Sequence, residues 1–153
     1  MRPISQRHSV ISALSALLLC AAAQVGSAQG TAGRCAVLTP AAVSSALGAT
    51  VDAGKPIFDY GCSWQSSEPH IIVSISVGDV TKYKTWTGSV LGVTKSSVSG
   101  LGDDAVTGTL GSLTSLWVKH GKNAFQLRVY GVSDPTRQLA IEKTLARDVL
   151  KQL

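Results

Sequence analysis

Apolar residues recur along this chain with two different periods, and the switches between them mark its elements. From Phe58 to Gln65 the period is two: Phe58, Tyr60, Cys62 and Trp64 alternate with Asp59, Gly61, Ser63 and Gln65, as in a strand with one buried face. After a turn at Ser66-Ser67-Glu68-Pro69 the alternation resumes. Ile71, Val73, Ile75 and Val77 point one way and Ile72, Ser74 and Ser76 the other, so the two strands read as a hairpin. A second hairpin is expected from Leu113–Lys119 and Ala124–Tyr130, turning at His120-Gly121-Lys122-Asn123, with Phe125, Leu127 and Val129 alternating against Gln126, Arg128 and Tyr130. A short strand is expected over Ala105 to Leu110.

Three stretches carry the helical period instead. Thr39-Pro40 has the form of a helix start, with Thr39 as N-cap and Pro40 at the first helical position. Leu38 and Val43 stand where a hydrophobic staple packs, and Gly48 suits a left-handed stop. Asp79 caps a second expected helix bearing Val80, Tyr83, Trp86 and Val90. Asp134-Pro135 opens the last one, in which Ile141, Leu145, Val149 and Leu153 recur every four residues beside Ala146 and Leu150. Residues 29–34 read as a frayed end, Ala53-Gly54-Lys55-Pro56 as a turn, and Val93 to Asp104 as a Ser- and Gly-rich connection. The expected fold is α+β: an antiparallel sheet of about five strands built from two hairpins, with the last helix laid across one face. Val77-Gly78-Asp79-Val80-Thr81-Lys82 also resembles Val132-Ser133-Asp134-Pro135-Thr136-Arg137. Either an internal duplication of a hairpin–helix unit or convergence on a good helix cap accounts for that match.

The first residues change the picture of where this domain works. Arg2 and Arg7 precede an apolar run from Val10 to Ala23, and Gly26-Ser27-Ala28 offers small residues before a cut. Residues 1–28 therefore read as a signal peptide cleaved after Ala28, with Ala21-Ala22-Ala23 as the second choice, and residues 29–153 as a single domain. The run is too short for a membrane span of roughly 20 residues. Leu19 occupies the place before Cys20 where a lipoprotein signal wants a small residue, so Cys20 is read as part of the run. Arg2 and Arg7 are not adjacent, which argues against a twin-arginine signal. Loss of the signal leaves twelve basic against nine acidic residues, a net charge of +3. That mild excess excludes a nucleic-acid-binding balance. Two cysteines remain, Cys35 and Cys62, and an even pair in an exported chain reads as a disulfide. The expected location is the periplasm or the extracellular space.

With Cys35-Ala36-Val37-Leu38-Thr39-Pro40, Gly48 and Gly61-Cys62-Ser63-Trp64 in view, the chain resembles a family of small exported bacterial domains of unknown function. Many of these are lipoproteins, and they are common in actinobacteria. Gly100-Leu101-Gly102-Asp103-Asp104-Ala105 and the hairpin from Lys119 to Phe125 resemble the family's second half. The resemblance implies an α+β domain with an antiparallel sheet and brings no catalytic residues with it. The residue before Cys20 departs from the lipoprotein pattern.

Candidate chemistry is sparse. His70, His120, Cys35 and Cys62 are zinc-ligand types, but their spacing follows no standard zinc pattern, and export favours the disulfide. No metal site and no cofactor is expected. Asp103-Asp104 reads as a solvated turn before it reads as an acid–base or cation-binding pair. Gly100-x-Gly102 has no helix behind it to receive a phosphate, and neither a Gly-x-Ser-x-Gly elbow nor a His-Glu-x-x-His helix is present. Two candidate contact surfaces remain. Tyr60, Trp64, Trp86 and Trp117 could line a groove or fill a core. Lys143, Arg147 and Lys151 share one stripe of the last helix, fit either for a solvated face or for an acidic partner or anionic membrane surface. The expectation is a non-catalytic binding or interaction module for an unidentified protein or envelope ligand. An inhibitor or immunity protein blocking a partner enzyme is the alternative, and a hydrolase a second alternative.

Overall fold

In the computed structural model, residues 32–153 are described; the expected signal segment, its cleavage site and Cys20 lie outside them. The domain is α+β, built on an antiparallel sheet of seven strands in the order β1-β2-β3-β7-β6-β5-β4. The strands are β1 (Lys55–Ile57), β2 (Gly61–Gln65), β3 (Ile72–Asp79), β4 (Thr94–Ser97), β5 (Asp104–Leu110), β6 (Leu113–His120) and β7 (Asn123–Tyr130). The helices are α1 (Ala32–Cys35), α2 (Pro40–Leu47), α3 (Val80–Trp86) and α4 (Pro135–Leu150).

The expected hairpins are present as β2–β3 and β6–β7, and β3 and β7 pair antiparallel at the centre. Two strands exceed the expected count. Lys55 and Pro56, read as a turn, belong to β1, and the Ser- and Gly-rich connection contains β4. Both are short, largely exposed edge strands. An edge strand with no buried face has no hydrophobic alternation to show. Residues 32–34 of the end expected to fray belong, with Cys35, to the short α1.

The main core lies between the sheet and the pair α2 and α4. Trp64, Ile71, Val73, Ile75, Leu116, Val118, Phe125, Leu127 and Val129 face Val43, Leu47, Ile141, Leu145, Ala146 and Val149, all buried. Thr39 Oγ1 accepts from the Ala42 amide at 3.1 Å, Leu38 and Val43 are buried together, and Gly48 ends α2 at φ 70°. Leu153 lies beyond the last turn of α4 and is exposed. Val90 falls outside α3, which stops at Trp86.

The Cys35–Cys62 disulfide joins α1 to β2 across 27 residues, with Cα atoms 5.2 Å apart. Cys62 is fully buried beside Trp64 on the core face. Gly54 lies so close that a Cβ there would come within 2.8 Å of Cys62 Sγ and 2.7 Å of Trp64 Nε1.

The duplication does not extend past the caps. Asp79 accepts from the amides of Thr81 and Lys82, and Asp134 from that of Thr136. The helices they start leave to opposite faces, however. α4 covers the face that holds Leu116, Phe125 and Leu127, whereas Tyr83 of α3 packs on Trp117 and Ala124. The two hairpin tryptophans likewise point to opposite sides, Trp64 into the main core and Trp117 against α3. Convergence on an Asp cap accounts for the likeness.

Buried polar side chains occupy the place where β6 and β7 part. Their ladder runs from His120↔Asn123 to Leu116↔Leu127 and stops, although β5 still pairs with β6 at Leu113 and β3 with β7 at Tyr130. Side chains of α4 enter the gap. Gln138 Oε1 accepts from the Thr114 amide at 2.9 Å, and Gln138 Nε2 donates to the Val132 carbonyl. Thr114 Oγ1 stands 3.0 Å from Gln138 Oε1 and 3.1 Å from Glu142 Oε1. A hydroxyl has one hydrogen and cannot donate to both. A protonated Glu142 resolves this by donating to Thr114, which donates to Gln138. Burial agrees: it pushes the Glu142 carboxyl up to about 8, against a smaller opposing effect of the Thr114 hydrogen bond.

Replacing both cysteines with serine is expected to cost about 2–5 kcal/mol, in line with roughly 3.5 kcal/mol for closing a loop of this size, read as a shift in the urea unfolding midpoint. Glu142 binds its proton more tightly folded than unfolded. Stability is therefore expected to fall as pH rises from the ordinary value of 4.5 to about 8, and to level off above. In Glu142→Gln that fall is expected to be absent, because the amide donates to Thr114 at every pH; urea midpoints across this range check it.

Candidate functional site

The second face of the sheet is only partly covered, and that is where a pocket forms. Gly78 lets α3 approach β3 closely; a Cβ there would come within 2.7 Å of Lys82 Cβ and 3.1 Å of Trp86 Cη2. Tyr83 is buried against Trp117 and Ala124. Its phenol is raised above the ordinary value of 10, first by burial and then by the nearby Asp104 carboxylate. Lys95 on β4 reaches back to the end of α3, donating to the carbonyls of Thr87 (2.8 Å) and Gly88. These contacts hold α3 and its following loop beside the sheet without closing over it.

The space left is a pocket of about 330 Å³. Trp86, Val90 and Val93 line it from α3 and the loop, Leu110 and Leu113 from the β5–β6 turn, and Trp117 from β6. Gly108 makes room for the indole: a Cβ there would come within 2.5 Å of Trp117 Cη2 and Cζ3. The rim is apolar and open to solvent, with Val90 and Leu110 more than half exposed and Leu91 in the same loop fully exposed.

Four polar residues also line the pocket: Thr85 on α3, and Ser115, Gln126 and Arg128 on the sheet. Ser115 and Gln126 are buried and Arg128 half-buried. Arg128 Nε donates to Ser115 Oγ at 2.9 Å. With its amide oriented so that Oε1 faces donors, Gln126 accepts from Arg128 Nη2 (2.8 Å), Arg128 Nε (3.1 Å) and Trp117 Nε1 (2.8 Å). The guanidinium is thus fixed by neutral groups. Among the described residues no carboxylate lies within 4.0 Å of it. A cation held by neutral partners in an apolar recess can orient an anion; Ser115 has a guanidinium for a neighbour, which cannot take its proton.

The sequence candidates fall in different places. Trp86 and Trp117 line this pocket. Trp64 is sealed in the main core on the other side of the sheet. Tyr60 does not continue the β2 alternation. It lies in the turn before Gly61, stacked on Phe58 with ring centroids 6.1 Å apart and with Lys82 Nζ 4.8 Å over its ring. Phe58 there is 81% exposed at φ 51°. The basic stripe runs along α4, which packs on the opposite face from the pocket. Lys143 is half-buried, Arg147 is exposed, and Lys151 is paired with Asp148 at 2.7 Å.

Asp103 and Asp104 do not act as a pair. Asp103 Oδ2 accepts from the Gly121 amide at 2.7 Å and Oδ1 lies 3.8 Å from His120 Nδ1, bracing the β6–β7 turn, while Asp104 neighbours Tyr83. His70 and His120 belong to opposite ends of β7: His70 lies just before Ile72, the partner of Tyr130, and His120 pairs with Asn123. Both remaining cysteines are in the disulfide. Among the described residues no group of three or more His, Cys, Asp or Glu is placed to hold a metal ion.

The sequence pattern missed Ser115, Gln126 and Arg128 as site residues. Gln126 and Arg128 alternate with Phe125, Leu127 and Val129, and so read as the solvent side of a one-sided strand. Their one signal was the alternation itself, which places Ser115 on the same strand face as Trp117 and Gln126 beside Arg128. Comparison with family models, curated proteins and solved structures finds no match to this chain.

Gly108→Ala is expected to force the Trp117 indole out of its place and to destabilise the domain by about 1–3 kcal/mol, as overpacking does. Tryptophan emission combined with urea unfolding measures both effects.

Proposed function

We propose that this protein is an exported, non-catalytic binding module whose ligand occupies the pocket between α3 and the sheet. One observation carries the reading: an apolar, solvent-open recess has a fixed arginine without a counter-ion in its lining. Small-molecule sites commonly join an apolar lining to a few convergent polar groups. The signal-like N-terminus and the resemblance of the Cys35 and Cys62 motifs to small exported bacterial domains support export. The disulfide agrees with an oxidising compartment. Among the described residues no helix is long and apolar enough to cross a membrane. The inhibitor reading draws on a different observation, the exposed Phe58–Tyr60 ledge, whose left-handed Phe58 holds an aromatic ring out to solvent.

The neutral dye N-phenyl-1-naphthylamine tests the pocket, because Trp86 and Trp117 would transfer excitation to a dye bound there. Residues 29–153 are expected to bind it saturably at one site. Val93→Trp fills the pocket from its rim and is expected to lose that site while its circular dichroism stays unchanged. Equal dye binding by the filled variant would place the ligand elsewhere.

A further inference from the structure

We propose that the pocket takes a small amphiphilic monocarboxylate, its carboxylate on Arg128 and its apolar tail between Trp86 and Trp117. This rests on the binding-module reading and names the ligand class. The charge argument comes first. Arg128 is half-buried among neutral partners, and no carboxylate of the described residues comes within 4.0 Å. Glu142, the acid that acts on it electrostatically, is packed on the α4 side of the sheet and kept protonated by burial at neutral pH. A positive charge held in an apolar recess without its own anion favours an incoming one.

The number and shape of the donors select the head group. Nε and Nη2 are engaged by Ser115 and Gln126, and Nη1 has no hydrogen-bond partner among the described residues. Gln126 and Ser115 fix the plane of the guanidinium, so the free donors present a preset geometry that a planar carboxylate matches. The pocket lining contains one cationic side chain, and Lys95, on the neighbouring strand, is committed to the carbonyls that end α3. One positive charge suits a monoanion better than a phosphate dianion. The tail follows from the walls, which are aliphatic and indole surface opening to an apolar rim. A volume of about 330 Å³ lies at the small end of the range for ligand sites, which points to a medium-length chain or an aryl-alkyl acid.

The test uses residues 29–153 and one tail with several heads: octanoate, octan-1-ol, octylamine and octyl phosphate. Each is titrated directly by calorimetry and by displacement of N-phenyl-1-naphthylamine. Octanoate is expected to bind at least about tenfold more tightly than octanol. Arg128→Gln is expected to erase that preference while keeping the affinity for octanol, and Arg128→Lys to keep part of it. Octanol or octylamine equalling octanoate would overturn the carboxylate assignment and leave the pocket standing. Octyl phosphate binding best would overturn it in favour of a phosphate head. Absence of heat with every compound and of dye binding would remove the pocket reading as well. The wild-type series decides the matter even if the Arg128 variants fail to fold.

Discussion

β7 is covered on both of its faces, and the rest of the molecule follows from that. Phe125, Leu127 and Val129 face α4 and the main core, while Ala124 and Gln126 are buried on the side of α3. The two covers are unequal. α4 has sixteen residues and a buried apolar stripe, and it meets strands that offer Leu, Val and Phe. α3 has seven residues and one buried anchor, Tyr83, resting on Trp117 and Ala124. A helix that short covers only part of the sheet. Where it ends, Trp117 keeps one edge of its indole on a pocket, and the polar side chains of β6 and β7 lie under apolar walls. The recess is therefore a consequence of where α3 stops.

The two polar groupings in the molecule solve the same problem differently. On the α4 side, Glu142 enters the gap between β6 and β7, where its Oε1 meets Thr114, itself bonded to Gln138, and its Oε2 is buried without a hydrogen-bond partner. Ionising it there would cost the solvation of a carboxylate, a cost that the attraction of Arg128 offsets only in part. On the α3 side, Arg128 stays charged, because a guanidinium does not give up its proton. It is stabilised by the dipoles of Ser115 and Gln126 and by partial contact with solvent. One grouping disposes of its charge and the other displays it, and this asymmetry is what the proposed binding role of the α3 face draws on.

The readable part of the fold was the part with one-sided burial. The β2–β3 and β6–β7 hairpins, the Thr39-Pro40 and Asp134-Pro135 helix starts and the Ile141-Leu145-Val149 stripe all report burial through periodicity, and all are present. The edge strands β1 and β4 bury almost nothing and left no such trace. Tyr60 shows the limit from the other side. Its alternation with Cys62 and Trp64 was real in sequence, but Phe58 takes a left-handed backbone and the chain turns there. The pocket was half legible. Trp86 and Trp117 were visible as aromatics, but nothing in the β7 alternation distinguishes a strand whose second face meets water from one whose second face meets a short helix.

The same reasoning separates the surfaces that compete for a functional role. Lys143, Arg147 and Lys151 are held on a helix face whose geometry is fixed by burial on its other side. One of the three is half-buried and another is neutralised by Asp148 at short range, so the stripe presents less charge than its sequence suggests. Phe58 and Tyr60 are exposed and stacked, and the one cation there, Lys82, already lies over the Tyr60 ring. The α3 pocket joins concavity and apolar walls to a cation that no carboxylate of the described residues pairs, whereas Lys151, in the recess between α2 and the end of α4, is paired with Asp148. In a recess of that kind binding does not have to order the arginine, because Ser115 and Gln126 already hold it, and a ligand gains most where the protein has been ordered in advance.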